Sequence, residues 1–368
     1  MQEKSNRGGM KDERNNDLKR TSLKCIQQSE ADRVPINYSA NEGIHKRLKD
    51  FYGVKQDDNE ALNEILGVDF RGIISDYNGP QIHEDIPNRS IDLWGNRRRW
   101  IEHDSGGYWD FCDFPLSDAD EETVANWPMP NPDHFDYSHI PDTCKKYDKY
   151  AQALYCYGDL INGNGMVRGM EQTLIDLVTD DPAGILLADR RFEIQTRIAE
   201  RILDAAKGRI DFLWLGEDLG TQDRPMISME IFREHIKPRF KKLVDLANSY
   251  GCKTMIHTCG SSSWAYDDFI EIGINAVDTL QPECKNMSPE YLVEHFGGRL
   301  SFHGCLSTAG KLAFGTPEEV RQEVKDILEI MMPTNSYMFS PTHSIQDNSP
   351  TENVVAMYES VKEFGWFK

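Results

Sequence analysis

Short apolar segments alternate with longer amphipathic segments along most of the chain. Each short segment has the length and the β-branched or aromatic content of a buried strand. The segments between them repeat apolar residues at helical spacing, most clearly at residues 228–249 and 316–331. This alternation is typical of βα units and predicts a parallel sheet. The predicted strands are residues 34–38, 70–76, 152–159, 211–218, 253–259, 275–281, 300–305 and 337–343.

The predicted strands are apolar in their bodies and become polar at their carboxyl-terminal ends. In a (β/α)8 barrel these ends meet on one face, where active sites are built. Polar loops after the strands would explain any single ending, but they explain a whole series of reactive residues less easily. We therefore predict an α/β protein with a (β/α)8 TIM barrel. The endings are Asn37 and Tyr38, Asp76, Asp159, Glu217 and Asp218, His257 and Cys259, Gln281, His303 and Cys305, and His343.

Two parts of the chain do not follow this alternation. Residues 78–149 are rich in Trp, Pro, Asp and Gly, and we predict an insertion there that covers the carboxyl-terminal face of the barrel. Residues 1–16 are charged and predict a flexible lead-in, which leaves residues 17–368 as a single domain.

The helix predicted at 316–331 begins with a capping Thr316, then Pro317 and two early acids, as helices often do.

Composition limits the partners and the compartment. A formal net charge of −20 argues against nucleic acid, which needs a basic surface. No apolar run approaches the ~20 residues that cross a bilayer, and the first residues lack the apolar middle of a signal peptide. The eight cysteines are irregularly spaced, which fits a reducing compartment. We predict a cytoplasmic protein that binds neither nucleic acid nor membrane; whether it forms a homodimer stays open.

The segment Met255-Ile256-His257-Thr258-Cys259 is a candidate half of a metal site. In a strand, residues i and i+2 point to the same side, so His257 and Cys259 could reach one ion. Zn²⁺ accepts such nitrogen and thiolate ligands, and a catalytic zinc needs a third protein ligand and an open position. A packed histidine beside a small apolar cysteine is the alternative. His343 is the preferred third ligand, with Cys305 in reserve.

The adjacent carboxylates Glu217 and Asp218 are the candidate catalytic groups. One of them could act as a ligand, a base or a substrate anchor, and either could also complete the metal site. An ordinary turn capped by Asp218 and solvated by Glu217 is the equal alternative. The substrate-binding candidates at the other strand ends are Asn37, Tyr38, Asp76 and Gln281. The sequence has no glycine-rich phosphate loop and no Gly-x-Ser-x-Gly elbow.

Several motifs together resemble the uroporphyrinogen decarboxylase superfamily. They occur in family order over roughly residues 17–366, and the resemblance implies a (β/α)8 barrel with its active cleft at the strand carboxyl-terminal ends. True decarboxylases of this superfamily carry an arginine-rich motif shortly after the first strand, whereas residues 38–44 here contain no arginine. The motifs are Arg33-Val34-Pro35-Ile36, residues 216–222, His257-Thr258-Cys259-Gly260, residues 304–308, residues 314–320 and Ser340-Pro341-Thr342-His343.

The motifs are more similar to the corrinoid-linked methyltransferases of this superfamily, whose zinc motif is His-x-Cys followed far downstream by Cys. His257 and Cys259 match the first two ligands, and His343 stands where the last cysteine would be. The resemblance implies a zinc-dependent methyltransferase that moves a methyl group from a small O- or N-methylated compound to a corrinoid (cobalamin) on a separate partner protein. A metal-free carboxy-lyase and a non-catalytic barrel that binds a corrinoid or another small ligand are the alternatives.

Overall fold

The computed structural model describes residues 18–26, 31–103 and 106–367, so the predicted lead-in at 1–16 lies outside the described residues. In that part of the chain the strands are β1 (Phe70–Gly72), β2 (Asp76–Tyr77), β3 (Ser90–Ile91), β4 (Arg97–His103), β5 (Gly106–Cys112), β6 (Phe135–Asp136), β7 (Ala151–Tyr157), β8 (Phe212–Gly216), β9 (Lys253–Thr258), β10 (Ala276–Thr279), β11 (Ser301–Leu306) and β12 (Tyr337–Pro341).

The helices are mostly those that connect these strands. They are α1 (Leu18–Ile26), α2 (Glu42–Tyr52), α3 (Asn59–Leu66), α4 (Glu121–Asn126), α5 (Ile140–Lys146), α6 (Ile161–Arg168), α7 (Met170–Thr179), α8 (Pro182–Ala206), α9 (Met229–Ile231), α10 (Lys237–Ser249), α11 (Tyr266–Ile272), α12 (Pro289–Phe296), α13 (Lys311–Phe314), α14 (Pro317–Met331) and α15 (Thr351–Phe364). None of the helices in the described residues is long and apolar enough to span a membrane.

A seven-stranded sheet organises the chain, with strand order β1-β7-β8-β9-β10-β11-β12. Every neighbouring pair in this sheet is parallel. Seven of the predicted strands are therefore found in the sheet of one mixed α/β fold, with slightly different bounds except at 70–76, where the strand ends at Gly72. The sheet is curled, and its two faces carry cores of very different size.

The segment predicted as the first strand, residues 34–38, bonds to both edges of this sheet. The N–H of Phe339 in β12 donates to Pro35 O at 2.8 Å, and the N–H of Asn37 donates back to Phe339 O at 2.9 Å. On its other side, the N–H of Asp69, just before β1, donates to Ile36 O at 2.8 Å. The segment is thus an irregular link between the edge strands rather than a regular strand.

The two faces of the sheet follow the alternation of side chains along each strand. The smaller, inner core contains Phe70, Phe212, Trp214 and Met255 and is joined by residues of α1. The intervening side chains, such as Leu213 and Ile256, face the larger core beneath the helices. Residues at inward positions near the carboxyl-terminal ends are therefore the ones that can meet in a common site.

The predicted insertion contributes no strand to the seven-stranded sheet within residues 78–103 and 106–149. It contains the antiparallel sheet β3-β4-β5, and Leu116 and Val124 pack with Leu187 of α8. The hairpin of β4 and β5 reaches the loop after β12, since a methyl group placed on Gly106 would lie 3.1 Å from the Asp347 carboxylate. The insertion therefore approaches the carboxyl-terminal end of the sheet.

The strand predicted at 70–76 ends at Gly72, earlier than predicted. Asp76 is therefore not at the carboxyl-terminal end of the parallel sheet. The N–H of Ile73 makes the segment's last bond to β7, and Asp76 then pairs with Asp136 in the separate sheet of β2 and β6. Its side chain is 68% exposed and does not line the main cavity. The chain leaves the parallel sheet early because the insertion starts there.

The two clearest helix predictions have different outcomes. The helix at 316–331 is confirmed as α14, with a capping box in which Thr316 and Glu319 exchange hydrogen bonds. The helix at 228–249 is interrupted, because Phe232–Ile236 adopt a π-helical turn between α9 and α10. Such turns are inserted without a pattern of apolar residues that would reveal them.

Candidate functional site

A cavity of about 490 Å³ opens at the carboxyl-terminal end of the parallel sheet. Its lining includes the predicted residues Asn37, Tyr38, His257 and His343. Trp214 of the inner core also lines it, as do Phe70 and Tyr155, so one wall is aromatic. The structure thus brings four of the predicted site residues to one cavity.

Asp218, His257 and Cys259 form a group at the ends of β8 and β9. Each offers one ligand atom, and these atoms lie within 4.8 Å of one another. The sulfur of Cys259 lies 3.4 Å from Nε2 of His257, and the Cys259 N–H donates to Oδ1 of Asp218 at 2.9 Å. His257 and Cys259 share a side as the i, i+2 spacing predicted.

Close packing of two turns holds this group together. The N–H of Gly220 donates to Cys259 O at 3.2 Å, and the N–H of Ser261 donates to Thr221 O at 2.8 Å. Gly260 has φ 75°, and a Cβ there would collide with the Gly220 backbone. Glycine is required at position 260 because only it allows this conformation and this approach.

Glu217 does not face the cavity. Strand alternation turns it outward, where it is fully buried and caps α6. Its Oε2 accepts the N–H groups of Leu160 and Ile161 at 2.7 and 2.8 Å, and Oε1 accepts that of Asn162 at 3.2 Å. Burial raises the pKa of Glu217 well above its usual value, and these donors oppose the shift. Asp218 is therefore the carboxylate that the fold presents to the metal group.

The other predicted site residues lie outside this group. His343 lines the cavity but is exposed, with its ring centroid 6.3 Å from that of His257. Cys305 is fully buried in the outer core, because positive φ angles at Gly304 (122°) and Cys305 (73°) break the strand alternation. Gln281 supports the loop after β9, accepting the Gly260 N–H at 2.5 Å.

Asp278 joins two histidines on neighbouring strands. Its Oδ2 accepts a hydrogen bond from Nδ1 of His257 at 2.7 Å, and its Oδ1 accepts one from Nδ1 of His303 at 2.5 Å. On the far side, Nε2 of His303 lies 3.2 Å from Nδ2 of Asn37. Asp278 is paired directly with both histidines in the sheet register, on the inner face. The sequence analysis did not assign Asp278 or His303 a role, although inward polar residues on three successive strands were a usable signal.

The pKa values of His257, Asp278 and Cys259 are shifted by burial and by these hydrogen bonds. Burial alone would lower the pKa of His257, but bonds to Asp278 and Cys259 raise it well above its usual value. Burial would raise the pKa of Asp278, but the two histidines lower it below its usual value. Burial raises the pKa of the Cys259 thiol, and the His257 hydrogen bond opposes that shift.

The residues present fit a zinc ion. The donors are one imidazole nitrogen, one thiol sulfur and one carboxylate oxygen, and zinc accepts all three types. Metal-bound histidines usually donate their other N–H to a carboxylate, as His257 does to Asp278. A second group of possible ligands, Asp180, Glu234 and His235, lies at the π-helical turn and does not line the cavity.

The third ligand can be tested by a matched pair of substitutions. We expect Asp218→Asn to weaken zinc binding by about 10-fold or more, because it removes an anionic ligand and keeps the acceptor for the Cys259 N–H. His343→Gln should have the smaller effect. Competition with a chelating dye measures both affinities, and the opposite order would support His343, the ligand predicted from sequence.

The cavity offers no free cationic side chain among its described lining residues. Arg71 is the sole lysine or arginine in that lining. Its guanidinium is bound to both carboxylate oxygens of Glu60 and to the Val68 and Phe70 carbonyls. It also lies 3.7 Å from the centre of the Tyr150 ring. A ligand with several carboxylates would find no unpaired cation in this lining.

Comparison with known proteins gives one family match and several structural likenesses. Residues 218–364 match the family model described as uroporphyrinogen decarboxylase (URO-D). No curated protein matches the chain in sequence. The structure is similar to a methyltransferase from Methanosarcina mazei, with 16% identity, 94% of this chain and 98% of that chain covered, and a TM-score of 0.62. At this identity the likeness concerns the fold alone.

A second solved structure, the apo form of 3-keto-D-glucoside 4-epimerase from E. coli, is 10% identical, with 62% of this chain and 86% of that chain covered and a TM-score of 0.39, too low to carry an argument. The family match begins at Asp218 and includes His257, Cys259 and His343. Over residues 218–364, it agrees with the resemblance to the uroporphyrinogen decarboxylase superfamily that the motifs predicted.

Proposed function

We propose that the protein is a zinc-dependent methyltransferase that moves a methyl group from a small O- or N-methylated compound to a corrinoid on a separate protein. The observation that carries this proposal is the Asp218, His257 and Cys259 group beside a 490 Å³ cavity. The family match and the methyltransferase of similar fold support a methyltransferase-type enzyme. We also propose that residues 34–38 close the seven strands into a (β/α)8 barrel, since they bond to both edges.

In the proposed reaction the side chains have different roles. His257, Cys259 and Asp218 would hold the zinc, and Asp278 orients the His257 ring. Bound zinc would supply Lewis acidity and so weaken the bond between a heteroatom and its methyl group. Phe70, Tyr155 and Trp214 line the cavity beside it and reduce its contact with water. The sequence has no Asp-x-His-x-x-Gly corrinoid-binding motif, so the corrinoid would come with the partner.

The carboxy-lyase alternative is disfavoured by the charges of the cavity. Porphyrinogens carry several carboxylates, and buried carboxylates are bound by paired cations and bidentate arginines. The lining residues that the structure describes offer Arg71 alone, and Arg71 is already paired with Glu60.

The proposal predicts corrinoid methylation by the zinc-loaded protein. The assay mixes the protein with a reduced corrinoid carrier and a panel of methyl ethers and methylamines, and follows the corrinoid by absorbance. We expect a methyl-dependent spectral change with at least one compound, and none with Cys259→Ser. Silence across the panel, with consumption of a porphyrinogen in a parallel assay, would support the carboxy-lyase. Silence in both assays with tight corrinoid binding would support the binding barrel.

A further inference from the structure

We infer that Asn37, His303 and Asp278 are positioning residues that fix the His257 ring with its Nε2 lone pair available to zinc. We call these four residues the Asn37–His257 chain. The inference rests on the proposed function, because it takes His257 as a zinc ligand. It adds three residues that act on the metal site through hydrogen bonds, none of which belongs to the group of metal-ligating atoms.

The donor and acceptor roles along the Asn37–His257 chain are set by a backbone N–H group, which can only donate. The N–H of Tyr38 donates to Oδ1 of Asn37 at 2.9 Å. A backbone N–H can only donate, so this contact identifies the oxygen of the Asn37 amide. The amide nitrogen therefore faces Nε2 of His303, at 3.2 Å, and donates to it. Nε2 of His303 must then be an acceptor.

The remaining directions follow from the first. With Nε2 as an acceptor, the proton of neutral His303 is on Nδ1, which donates to Oδ1 of Asp278 at 2.5 Å. The other oxygen of Asp278 accepts from Nδ1 of His257 at 2.7 Å. The Nδ1 proton of His257 is thus held by Asp278, and Nε2, the nitrogen that faces Cys259, is the one that loses its proton when a metal binds. This is the tautomer in which Nε2 can bind a metal.

Packing holds each member of the chain in place. His303 is 2% exposed, and its ring lies edge-on to Trp214 with centroids 4.9 Å apart. The Asn37 carbonyl accepts the Tyr358 hydroxyl at 3.0 Å, and the Asn37 N–H donates to Phe339 O in β12. Neither the His303 ring nor the His257 ring can turn over without leaving a buried polar atom unpaired, which costs about 1–3 kcal/mol. A satisfied buried network of this kind specifies one arrangement.

Asn37→Asp tests the chain at the end far from the metal. The substitution keeps the size of the side chain and the acceptor for the Tyr38 N–H, but it replaces the donor that faces His303 with an acceptor. Asn63→Asp is the matched control, because Asn63 lines the same cavity and is not hydrogen-bonded to the chain in the described residues. Both variants add one negative charge to the cavity lining, but only Asn37→Asp replaces the donor that faces His303.

We expect zinc affinity to fall by about 10-fold in Asn37→Asp, the lower end of what outer partners of a ligand contribute, and to change much less in Asn63→Asp. Nitrogen-15 NMR of the histidine rings should show a changed protonation pattern for His303 in Asn37→Asp alone. As a second test, His303→Gln can still donate to Asp278 and should retain more affinity than His303→Leu.

The outcomes distinguish a failure of the positioning role from a failure of the proposed function. Wild-type protein that takes up no zinc would contradict the proposed metal site. Wild-type protein that binds zinc, with unchanged affinity and unchanged ring protonation in Asn37→Asp, would overturn the positioning role alone. Equal losses in His303→Gln and His303→Leu would also count against it, because a purely spatial role for His303 predicts that result.

Discussion

Zinc content should fall from about one ion per chain to near zero when Cys259 is replaced by serine, because a hydroxyl is a much poorer zinc ligand than a thiolate. We expect the same effect from His257→Ala, since it removes the imidazole that is hydrogen-bonded to Asp278. Methyl transfer should fall by about 100-fold or more in both variants, because activation of the heteroatom depends on the ion. Elemental analysis of purified protein and the corrinoid assay measure the two losses separately.

Cys284→Ser is the matched control for this prediction. Cys284 is also buried and also has a raised thiol pKa, but it lies outside the group of metal-ligating atoms. Its replacement should leave zinc content unchanged.

Zinc uptake should release protons, because His257 and Cys259 must both lose a proton to bind the ion. Full zinc content in Cys259→Ser would remove the ligand assignment.

The second large effect is on stability. Glu217→Ala should lower the free energy of unfolding by about 3 kcal/mol or more, because it leaves three backbone N–H groups at the start of α6 without an acceptor, each costing about 1–3 kcal/mol. Glu217→Gln should cost less than half as much. Its single carbonyl oxygen can still accept from Leu160 and Ile161, so two of the three N–H groups keep an acceptor.

Chemical denaturation measures the two costs, and amide hydrogen exchange locates them. We expect faster exchange at residues 160–162 in Glu217→Ala than in Glu217→Gln. Zinc content should stay near that of the wild type in any folded fraction, because Glu217 faces away from the metal group. Loss of zinc from a well-folded Glu217→Gln protein would show instead that this carboxylate serves the metal site.

The period of the strands was enough to predict part of the site. The i, i+2 spacing placed His257 and Cys259 on one side, and the same rule applied from Phe212 and Trp214 separates Asp218 from Glu217. The two carboxylates were left as equal candidates, although alternation along β8 turns Glu217 outward. The rule fails at Cys305, because the positive φ at Gly304 turns the chain, and no residue pattern predicts that angle.

Contacts between strands were harder to predict than contacts along them. Asp278 meets His257 and His303 only because β10 lies between β9 and β11 in one register, and register is a property of the assembled sheet. The end of the strand at 70–76 was misplaced for a related reason. The alternation of apolar residues does not show where the chain leaves the sheet to begin an insertion, and so Asp76 was assigned to the wrong place.

Asn37 and His303 are 266 positions apart in the chain, yet they share a hydrogen bond. A ribosome adds about 5–20 residues per second, so Asn37 waits on the order of 15–60 s before β11 and β12 have been made. Contacts between such distant segments form late, because the loop that joins them must be ordered first. A nascent or truncated chain can therefore hold His257 and Cys259 without the partners that orient them.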